Sequence, residues 1–283
     1  MKKSDQKTLI VFSSPAGTTR HVAQVISNSL KDLGYEPTVY DIGDRGDRSK
    51  IISQAKNLVD KCCLWIGSPV YAGHAVPPIT DFISKLLPSN GSYAVPFVTW
   101  GAVTSGIALH EMGKTLNEKG YTILGAAKVL AVHSLMWDCE NPLGEGHPNA
   151  EDDTMIKKFL EKIDAKLSNE DRQPLMREDL NYQPKEIQES MQKVNIEIAK
   201  QLIPPRQLDE SVCTQCGKCK DVCPADAITL NPYPQFGSEC FLCYNCVRLC
   251  EEGAIKADLS QFASKLREAA EKMGESPLSQ IFI

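Results

Sequence analysis

Two cysteine clusters with the same spacing constrain this chain more than any other feature. Each reads C-x2-C-x2-C-x3-C, in "CTQCGKCKDVCP" from residue 213 and in "CFLCYNCVRLC" from residue 240. An Ala-Ile pair follows each cluster at the same offset, at 227–228 and at 254–255. A doubled unit of this kind indicates a domain with two related halves, each too small to fold alone.

Metal ligation is the better interpretation of these cysteines. Eight of the 11 cysteines lie in the two clusters. Disulfides between such closely spaced cysteines would be strained, and the N-terminal residues have no signal-peptide pattern. Three cysteines at x2 spacing suit one cubane, and the fourth ligates the other cluster. We therefore predict two [4Fe–4S] clusters with crossed ligands. The first set is Cys213, Cys216, Cys219 and Cys250, and the second set is Cys240, Cys243, Cys246 and Cys223.

Two zinc sites are the alternative, since zinc ribbons also use CxxC pairs. A third cysteine at another x2 step, together with the Cys223-Pro224 pair, favours iron–sulfur ligation. With these residues, the segment 205–258 resembles the bacterial two-cluster ferredoxins. Glu251 stands where that family usually has proline after the last cysteine. This departure concerns backbone hydrogen bonding and the potential of one cluster, and it leaves ligation unchanged.

The N-terminal part alternates short apolar runs with helical patterns. The predicted strands are 8–14, 35–42, 61–68, 93–101 and 121–132. The predicted helices are 15–34, 49–60, 77–87, 106–120 and 150–167. Because parallel strands need helical crossovers, this alternation predicts an α/β fold with a doubly wound five-stranded parallel sheet.

Composition divides the chain into three parts. Residues 1–168 form the predicted sheet domain, 169–204 a polar, proline-containing helical connector, and 205–283 a small α+β ferredoxin domain with a C-terminal helix. Five apolar residues of the connector recur at helical spacing and predict one helix that docks on a neighbouring domain. They are Ile187, Met191, Val194, Ile198 and Leu202.

The loop between the first strand and the first helix has the features of a phosphate site. In "SSPAGTTRHVA", Gly17 permits a sharp turn, and Ser14, Thr18 and Thr19 place hydroxyls beside the N–H groups of a helix N-terminus. The loop fits neither GxGxxG nor GxxxxGK[ST], which disfavours dinucleotides and nucleoside triphosphates. The Ser14, Gly17, Thr19 spacing resembles the FMN-phosphate loop of flavodoxins. Pro15 and Ala16 stand where that family has two threonines. The hydroxyl contacts of those threonines are lost, but the backbone N–H donors of 16–19 remain available.

Two further loops strengthen the resemblance to flavodoxins over 7–168. In that fold the ligand lies at the carboxyl ends of the strands, beside the switch point. The end of strand three supplies Tyr71 and the end of strand four supplies Trp100, both able to face an isoalloxazine ring. The full set of predicted FMN-binding residues is Ser14, Ala16, Gly17, Thr18, Thr19, Pro69, Val70, Tyr71, Ala72, Gly73, Thr99, Trp100 and Gly101.

Several other residues have two interpretations. Cys62 and Cys63 either have a redox role or, as we favour, are buried strand residues. Trp65 either stacks on the flavin or, as we favour, belongs to the core. His74 either contacts the flavin or, as we favour, is structural. The long loop 134–150 contains Trp137 and His147 and either packs against the ferredoxin domain, which we favour, or forms a substrate lid.

The order of the two parts resembles the flavodoxin–ferredoxin fusion proteins of anaerobes, sometimes called ferrodoxins. "SPAGTTRHVA" and the cysteine repeat carry this resemblance. It implies an electron-transfer iron–sulfur flavoprotein with two [4Fe–4S] clusters, FMN and a redox partner protein. We favour an electron carrier over an enzyme. The alternative is an enzyme, a ferredoxin-fed flavin reductase that acts on a small substrate.

Charge and hydropathy restrict the other partners. A net charge of −5 without a basic stripe disfavours nucleic acid, and no apolar run approaches the ~18 residues of a membrane span. A cytoplasmic location is expected, and a homodimer is left open.

Overall fold

The computed structural model describes residues 3, 6–55, 62–89, 91–168 and 173–283. The end of the predicted helix 49–60 and the beginning of the predicted connector lie outside these residues. None of the helices in these ranges combines the length and the apolar composition of a membrane-spanning segment.

A twisted sheet forms the centre of the N-terminal part, and its strand order is β12-β7-β5-β3-β1-β2. β1, β2, β3, β5 and β7 are parallel, with two short strands, β4 and β6, added to β3 and β5. The order of the five parallel strands is that of flavodoxin-like doubly wound folds, which confirms the predicted fold class. The strands are β1 (Lys7–Phe12), β2 (Pro37–Asp41), β3 (Cys62–Tyr71), β4 (His74–Ala75), β5 (Tyr93–Trp100), β6 (Thr122–Ile123), β7 (Ala126–Leu130) and β12 (Gln280–Phe282).

Helices cover both faces of the sheet and complete two hydrophobic cores. α1 and α5 pack on one face with Cys63 and Trp65 of β3, whereas α3 and α4 pack on the other with Leu64 and Ile66. This division follows from the alternation of side chains along a strand. Each fully buried aliphatic or aromatic side chain contributes about 1.5–3 kcal/mol. The helices are α1 (Thr18–Asp32), α2 (Arg45–Ala55), α3 (Pro77–Lys85), α4 (Ala108–Glu118) and α5 (Ala150–Ser168).

The predicted fifth strand, 121–132, is divided into β6 and β7 around Gly125. A Cβ atom at Gly125 would lie 2.8 Å from Ile163 Cδ1 and 2.9 Å from the Phe282 carbonyl oxygen. The close approach of α5 and β12 therefore leaves no room for a side chain where the strand is interrupted.

The connector departs from its prediction as one docked helix. It contains a short 3-10 helix (Arg177–Leu180) and two short helices, α6 (Lys185–Met191) and α7 (Ile196–Leu202). Asn195 begins α7 by accepting a hydrogen bond from the Ile198 N–H, which ends the continuity of the apolar stripe. Met191 is buried, but Ile198 and Leu202 are exposed, Leu202 by 65%. The docked stripe was therefore a wrong prediction for its second half.

The cysteine-rich part contains two small antiparallel ladders and short helices. β8 (Gln207–Leu208) pairs with β11 (Ile255–Lys256), so the two ends of this part meet. β9 (Ile228–Leu230) pairs with β10 (Pro234–Phe236). The helices are α8 (Lys218–Asp221), α9 (Asn245–Arg248) and α10 (Ser260–Met273).

After α10 the chain returns to the N-terminal sheet. β12 pairs antiparallel with β7, with Ile281 opposite Ala127. Just before it, the Glu275 carboxylate accepts hydrogen bonds from Lys128 Nζ at 2.6 Å and from the Ser105 N–H at 2.8 Å. Gln183 Nε2 of the connector donates to the same carboxylate at 2.7 Å. This segment thus joins β7, the loop after β5 and the connector.

Candidate functional site

The second predicted cysteine set lines one cavity in the cysteine-rich part. Cys223 comes from the first half of the repeat, and the other three come from the second half. Arg206, Phe236 and Asn245 line the same cavity. The fold therefore brings the crossed fourth cysteine to the three cysteines with which the sequence groups it. The four are Cys223, Cys240, Cys243 and Cys246.

These cysteines are buried and influence one another. Burial, together with the nearby Cys240, Cys246 and Cys223, raises the pKa of Cys243 to about 12, against a backbone hydrogen bond from Asn245 that lowers it. Burial likewise raises the pKa of Cys246 to about 11. Thiols in such a place ionise only when a cation compensates the charge, as iron does when it binds thiolate sulfur. The chemistry of this site therefore fits a metal cluster.

Hydrogen-bond donors also point at this second set. Arg206 Nη1 lies 2.8 Å from Cys240 Sγ, and the Leu242 N–H lies 3.4 Å from the same sulfur. The Ala227 N–H lies 3.3 Å from Cys223 Sγ. In a loaded site these sulfurs would be iron-bound thiolates, which are stronger acceptors than free thiols.

The first predicted set is more open. Cys216 is exposed and Cys213 and Cys250 are partly exposed, whereas Cys219 is buried. Burial raises the pKa of Cys219, and the nearby Cys216 and Cys213 add to the shift. Gly217, whose φ of +82° favours glycine, begins α8 and turns the chain between Cys216 and Cys219.

Within the part of the chain that the structure describes, no three His, Cys, Asp or Glu side chains are grouped to hold one metal ion. Ligands of a zinc ion converge on a single atom. Ligands of a cubane each bind a different iron and surround a larger volume.

The predicted phosphate loop lies at the carboxyl end of β1. Gly17 has φ of +91°, and a Cβ atom there would meet nothing within 4 Å. Ser14 Oγ accepts a hydrogen bond from the Arg20 N–H at 2.8 Å. Thr18 and Thr19 begin α1, where the first N–H groups have no acceptor within the helix. The space above Gly17 and these donors suit an anion, while the Arg20 side chain pairs with Asp41 at 2.6 Å.

The other two predicted flavin loops lie beside it, but several of their residues are buried. Thr19 Oγ1 and Thr99 Oγ1 are 2.7 Å apart, which joins α1 to the end of β5. Ala72 and Gly73 have φ of +51° and +83° and turn the chain after β3. Val70, Tyr71, Ala72 and Gly101 are partly exposed, whereas Pro69, Gly73 and Thr99 are buried.

Trp100 does not face the open rim of the sheet, contrary to its prediction as a flavin-facing aromatic. It is only 1% exposed and packs with Ala102, Leu130 and the partly buried Val70. Lys128 Nζ lies 5.2 Å from the centre of its ring. The side chain at the last position of β5 points to the core beneath loop 134–150, so Trp100 is a core residue in this structure.

Buried polar atoms without a hydrogen-bond partner among the described residues mark the same end of the sheet. They include Ser13 Oγ after β1 and Trp100 Nε1 at the end of β5. Burial raises the pKa of Tyr71. Unsatisfied buried polar groups of this kind are rare and call for a bound molecule, water or ion as partner.

The cysteine-rich part packs directly on this rim. Phe241 contacts Tyr71, with ring centres 5.9 Å apart, and both Phe241 and Cys243 belong to the core on the α3/α4 face. Arg248 Nη2 donates a hydrogen bond to the carbonyl oxygen of Pro15, in the predicted phosphate loop, at 3.0 Å. The second cysteine set and the predicted flavin loops therefore share one interface.

Loop 134–150 covers the side of this interface. The ring centres of Trp137 and Tyr244 are 6.2 Å apart. Arg248 Cζ lies 5.7 Å from the centre of the Trp137 ring. Arg267 of α10 donates hydrogen bonds to the carbonyl oxygens of Glu140 and Asn141. The loop packs against the cysteine-rich part, as the favoured interpretation predicted.

A second contact joins α2 to the residues after Cys223. Arg45 and Arg48 of α2 both pair with Asp226, at 2.5 and 2.6 Å. Arg48 also donates to the Pro224 carbonyl oxygen. Two arginines thus hold the residues that follow Cys223.

Three side interpretations are resolved by the contacts. His74 Nδ1 lies 2.9 Å from Glu111 Oε2, and His74 Nε2 lies 2.7 Å from the Val194 carbonyl oxygen. Both ring nitrogens therefore have protein partners, and His74 is structural. Cys62, Cys63 and Trp65 are buried, as predicted. Burial raises the pKa of Cys63 to about 12, which opposes a thiolate.

Sequence reasoning missed Arg206, Arg248 and Phe241. None is one of the residues by which a motif is recognised, and each makes its contact with residues distant along the chain. The only local signal was the position of Phe241 and Arg248 within the second cysteine cluster, where a large apolar and a basic residue stand between ligands.

Comparison with known proteins identifies part of the chain. The 4Fe–4S binding domain family matches residues 206–229, which include four of the eight clustered cysteines. No curated protein matches the chain.

Solved structures resemble the N-terminal part. A rubredoxin oxygen:oxidoreductase from the anaerobe Desulfovibrio gigas has 17% identity and a TM-score of 0.43, covering 58% of this chain and 37% of that one. A flavodoxin from the domain Archaea has 20% identity and a TM-score of 0.43, covering 58% and 100%. Flavodoxin 2 from Bacillus cereus has 17% identity and a TM-score of 0.43, covering 56% and 99%. The chain thus combines a flavodoxin-like sheet, assigned by its own strand order, with a 4Fe–4S binding domain.

Proposed function

We propose that this chain is an electron-transfer iron–sulfur flavoprotein of the flavodoxin–ferredoxin fusion type. It would hold two [4Fe–4S] clusters in 205–283 and one FMN at the rim of the sheet in 1–168, with 169–204 as connector. When bound, the clusters supply single electrons and the flavin takes up two, with protons from solvent. The donor would be a low-potential one-electron carrier protein, and a cytoplasmic location fits this role.

One observation carries the proposal. The cavity lined by Cys223, Cys240, Cys243 and Cys246 adjoins Phe241, and Phe241 packs on Tyr71 at the rim. A cluster and a flavin bound at these places would be separated by a few side chains. Joining both sites in one chain also replaces a diffusional encounter with a fixed separation.

The residues at the rim fit FMN. The open space above Gly17 and the first N–H groups of α1 suit its phosphate. The partly exposed ring of Tyr71, at the end of β3, suits contact with the flavin ring. Arg248 adds a positive charge next to Pro15.

The alternative of a substrate reductase receives no support from loop 134–150. Trp137 packs on Tyr244 and Arg248, and Arg267 binds two carbonyl oxygens of the loop. A loop held at both places suits a cover for the cofactors better than a lid that opens for substrate.

Cofactor analysis of protein purified without oxygen tests the proposal. We expect about eight iron and eight sulfide per chain and one FMN released on denaturation. An anaerobic reductive titration, followed by absorbance and EPR, should show two one-electron cluster steps and a two-electron flavin step. Iron-free protein containing zinc, or iron–sulfur protein that takes up no FMN, would contradict it.

A further inference from the structure

Resting on the two clusters proposed above, we propose that Arg206 sets the potential of one of them. It makes the cluster of the second cysteine set easier to reduce than the cluster of the first set. Arg206 immediately precedes β8, within the matched 4Fe–4S binding domain, yet its guanidinium reaches a cysteine of the other half of the repeat. Nothing in the cysteine spacing assigns it a role.

The contact between Arg206 and the second set is direct. Arg206 Nη1 lies 2.8 Å from Cys240 Sγ, and Arg206 is one of the residues that line the cavity. Its guanidinium lies 4.5 Å from the centre of the Phe236 ring and 5.6 Å from the centre of the Tyr244 ring. These two rings fix the guanidinium against the sulfur, since a planar cation stacks on aromatic faces.

The Tyr244 ring is itself held in place. Its hydroxyl donates a hydrogen bond to the Pro204 carbonyl oxygen at 2.5 Å. Arg206 Nε is buried and has no partner among the described residues. A guanidinium kept in this position without full pairing is costly unless negative charge lies close by. A reduced iron–sulfur cluster with its thiolate ligands supplies that charge.

The two cysteine sets differ in the groups that donate hydrogen bonds to their sulfurs and in their exposure to solvent. The charged donor Arg206 and the Leu242 N–H both reach Cys240, and the Ala227 N–H reaches Cys223, all in the second set. Cys219 of the first set accepts from the uncharged backbone N–H of Lys220, so the charge of Arg206 is what distinguishes the second set. The second set is buried throughout, whereas Cys216 of the first set is exposed. Burial by itself disfavours the added negative charge of a reduced cluster, whereas hydrogen bonds to sulfur and a nearby positive charge favour it. The charge of Arg206 therefore has to outweigh the burial of the second set.

Arg206 acts on the reduction step through charge. One-electron reduction adds a negative charge to the cluster without breaking a bond. A fixed cation at a ligand sulfur stabilises the reduced form more than the oxidised form, and it acts strongly in a buried site of low dielectric. An electron that enters at the exposed first set would therefore move to the second set, next to Phe241 and Tyr71 at the rim.

Midpoint potentials of the intact protein test this proposal, with Arg206→Gln as the main variant. Iron and sulfide are measured first, and an anaerobic titration followed by EPR then gives the two cluster steps. We expect the step at the higher potential, that of the second set, to move to lower potential. At a fixed potential, its ratio of reduced to oxidised cluster should fall by about tenfold or more, which corresponds to 59 mV for one electron. The other step should stay unchanged, and movement of that step instead would contradict the assignment.

Two further variants separate charge from contact. Lys218→Gln removes one exposed positive charge beside the first set and should leave the step moved by Arg206→Gln unchanged. Arg206→Lys keeps the charge but loses the planar guanidinium on Phe236 and Tyr244, so it should produce a smaller shift in the same direction. If Arg206→Gln binds less iron than the natural protein, Arg206→Lys decides the question.

Unchanged midpoints in the deciding variant, equal shifts of both steps, or the same shift in Lys218→Gln would each overturn the assignment. Failure of the proposed function looks different, because the natural protein would then lack two cluster steps before any substitution is made.

Discussion

Lys128 of β7 and Glu275, which follows α10, form a buried ion pair with Nζ 2.6 Å from Oε1. The side chains are only 7% and 10% exposed. Burial opposes ionisation of Glu275, but hydrogen bonds from Lys128, Ser105 and Gln183 outweigh it and hold its pKa below the usual range. The pair therefore joins the chain beyond the cysteine-rich part to the centre of the sheet domain.

Removing the negative member of this pair should be costly. We expect Glu275→Gln to lower the free energy of unfolding by about 3–5 kcal/mol, because Lys128 would remain charged, buried and unpaired. Urea unfolding of the two proteins measures the difference. The double variant Lys128→Met/Glu275→Gln should recover much of the loss, since it removes the unpaired charge. Equal losses in the single and double variants would contradict this account.

The contact between His74 and Glu111 predicts a dependence of stability on pH. The hydrogen bond from His74 to Glu111 raises the pKa of His74, although burial partly offsets it. The contribution to stability is then complete below the unfolded pKa of about 6.5 and is lost as the pH rises through the folded pKa. Because Glu111 is partly exposed, we expect no more than about 1 kcal/mol.

The free energy of unfolding, measured from pH 5.5 to 8.5, should show this decline. Other titrating groups contribute equally in the natural protein and in the variant, so the difference between the two isolates His74. Glu111→Gln keeps the shape of the side chain and removes its charge, so it should abolish most of the decline. A slope that Glu111→Gln leaves intact would assign the pH dependence to another group.

Gly17 allows the phosphate site to be tested by charge. Aspartate and asparagine tolerate positive φ better than most residues, and a side chain at Gly17 would enter open space. Gly17→Asp should weaken FMN binding by about tenfold or more relative to Gly17→Asn, because the aspartate carboxylate would repel the phosphate of FMN. Quenching of flavin fluorescence gives both dissociation constants. Riboflavin, which has no phosphate, should not distinguish the two variants.

Cys223 tests the crossed ligation. Cys223→Ala should lower the iron content from about eight to about four per chain, because the second set loses a ligand and the first set keeps all of its own. Cys139→Ala is the matched control, since Cys139 is a partly exposed cysteine outside both sets. Iron analysis and EPR of the remaining cluster provide the measurement. Full iron content in Cys223→Ala would mean that the fourth ligand is another residue.

Local patterns predicted the parts of this molecule that depend on local geometry. The cysteine spacing grouped Cys223 with the second cluster, and the structure places it in the cavity lined by that cluster. The alternation of strands and helices predicted the parallel sheet. Gly17 was predicted at a turn, and its positive φ confirms that turn.

Other features depend on contacts that no local pattern encodes. Trp100 ends a strand as predicted, but the direction of its side chain is decided by Leu130 and Lys128 of the neighbouring strand. Arg206 and Arg248 reach residues far away in the chain. β12 has three residues, too few for a periodic signal, and it pairs with the edge of the sheet at β7.

The pairing of β12 with β7 has a mechanical consequence for the whole chain. The cysteine-rich part lies in the sequence between α5 and β12, which both belong to the sheet domain. It is therefore connected to that domain at both of its ends. A single cut in the connector would leave two fragments still joined by ladder hydrogen bonds and by Lys128–Glu275. A large rotation of the cysteine-rich part relative to the sheet domain would require β12 to separate from β7. The distance between the cofactor sites can therefore change only slightly.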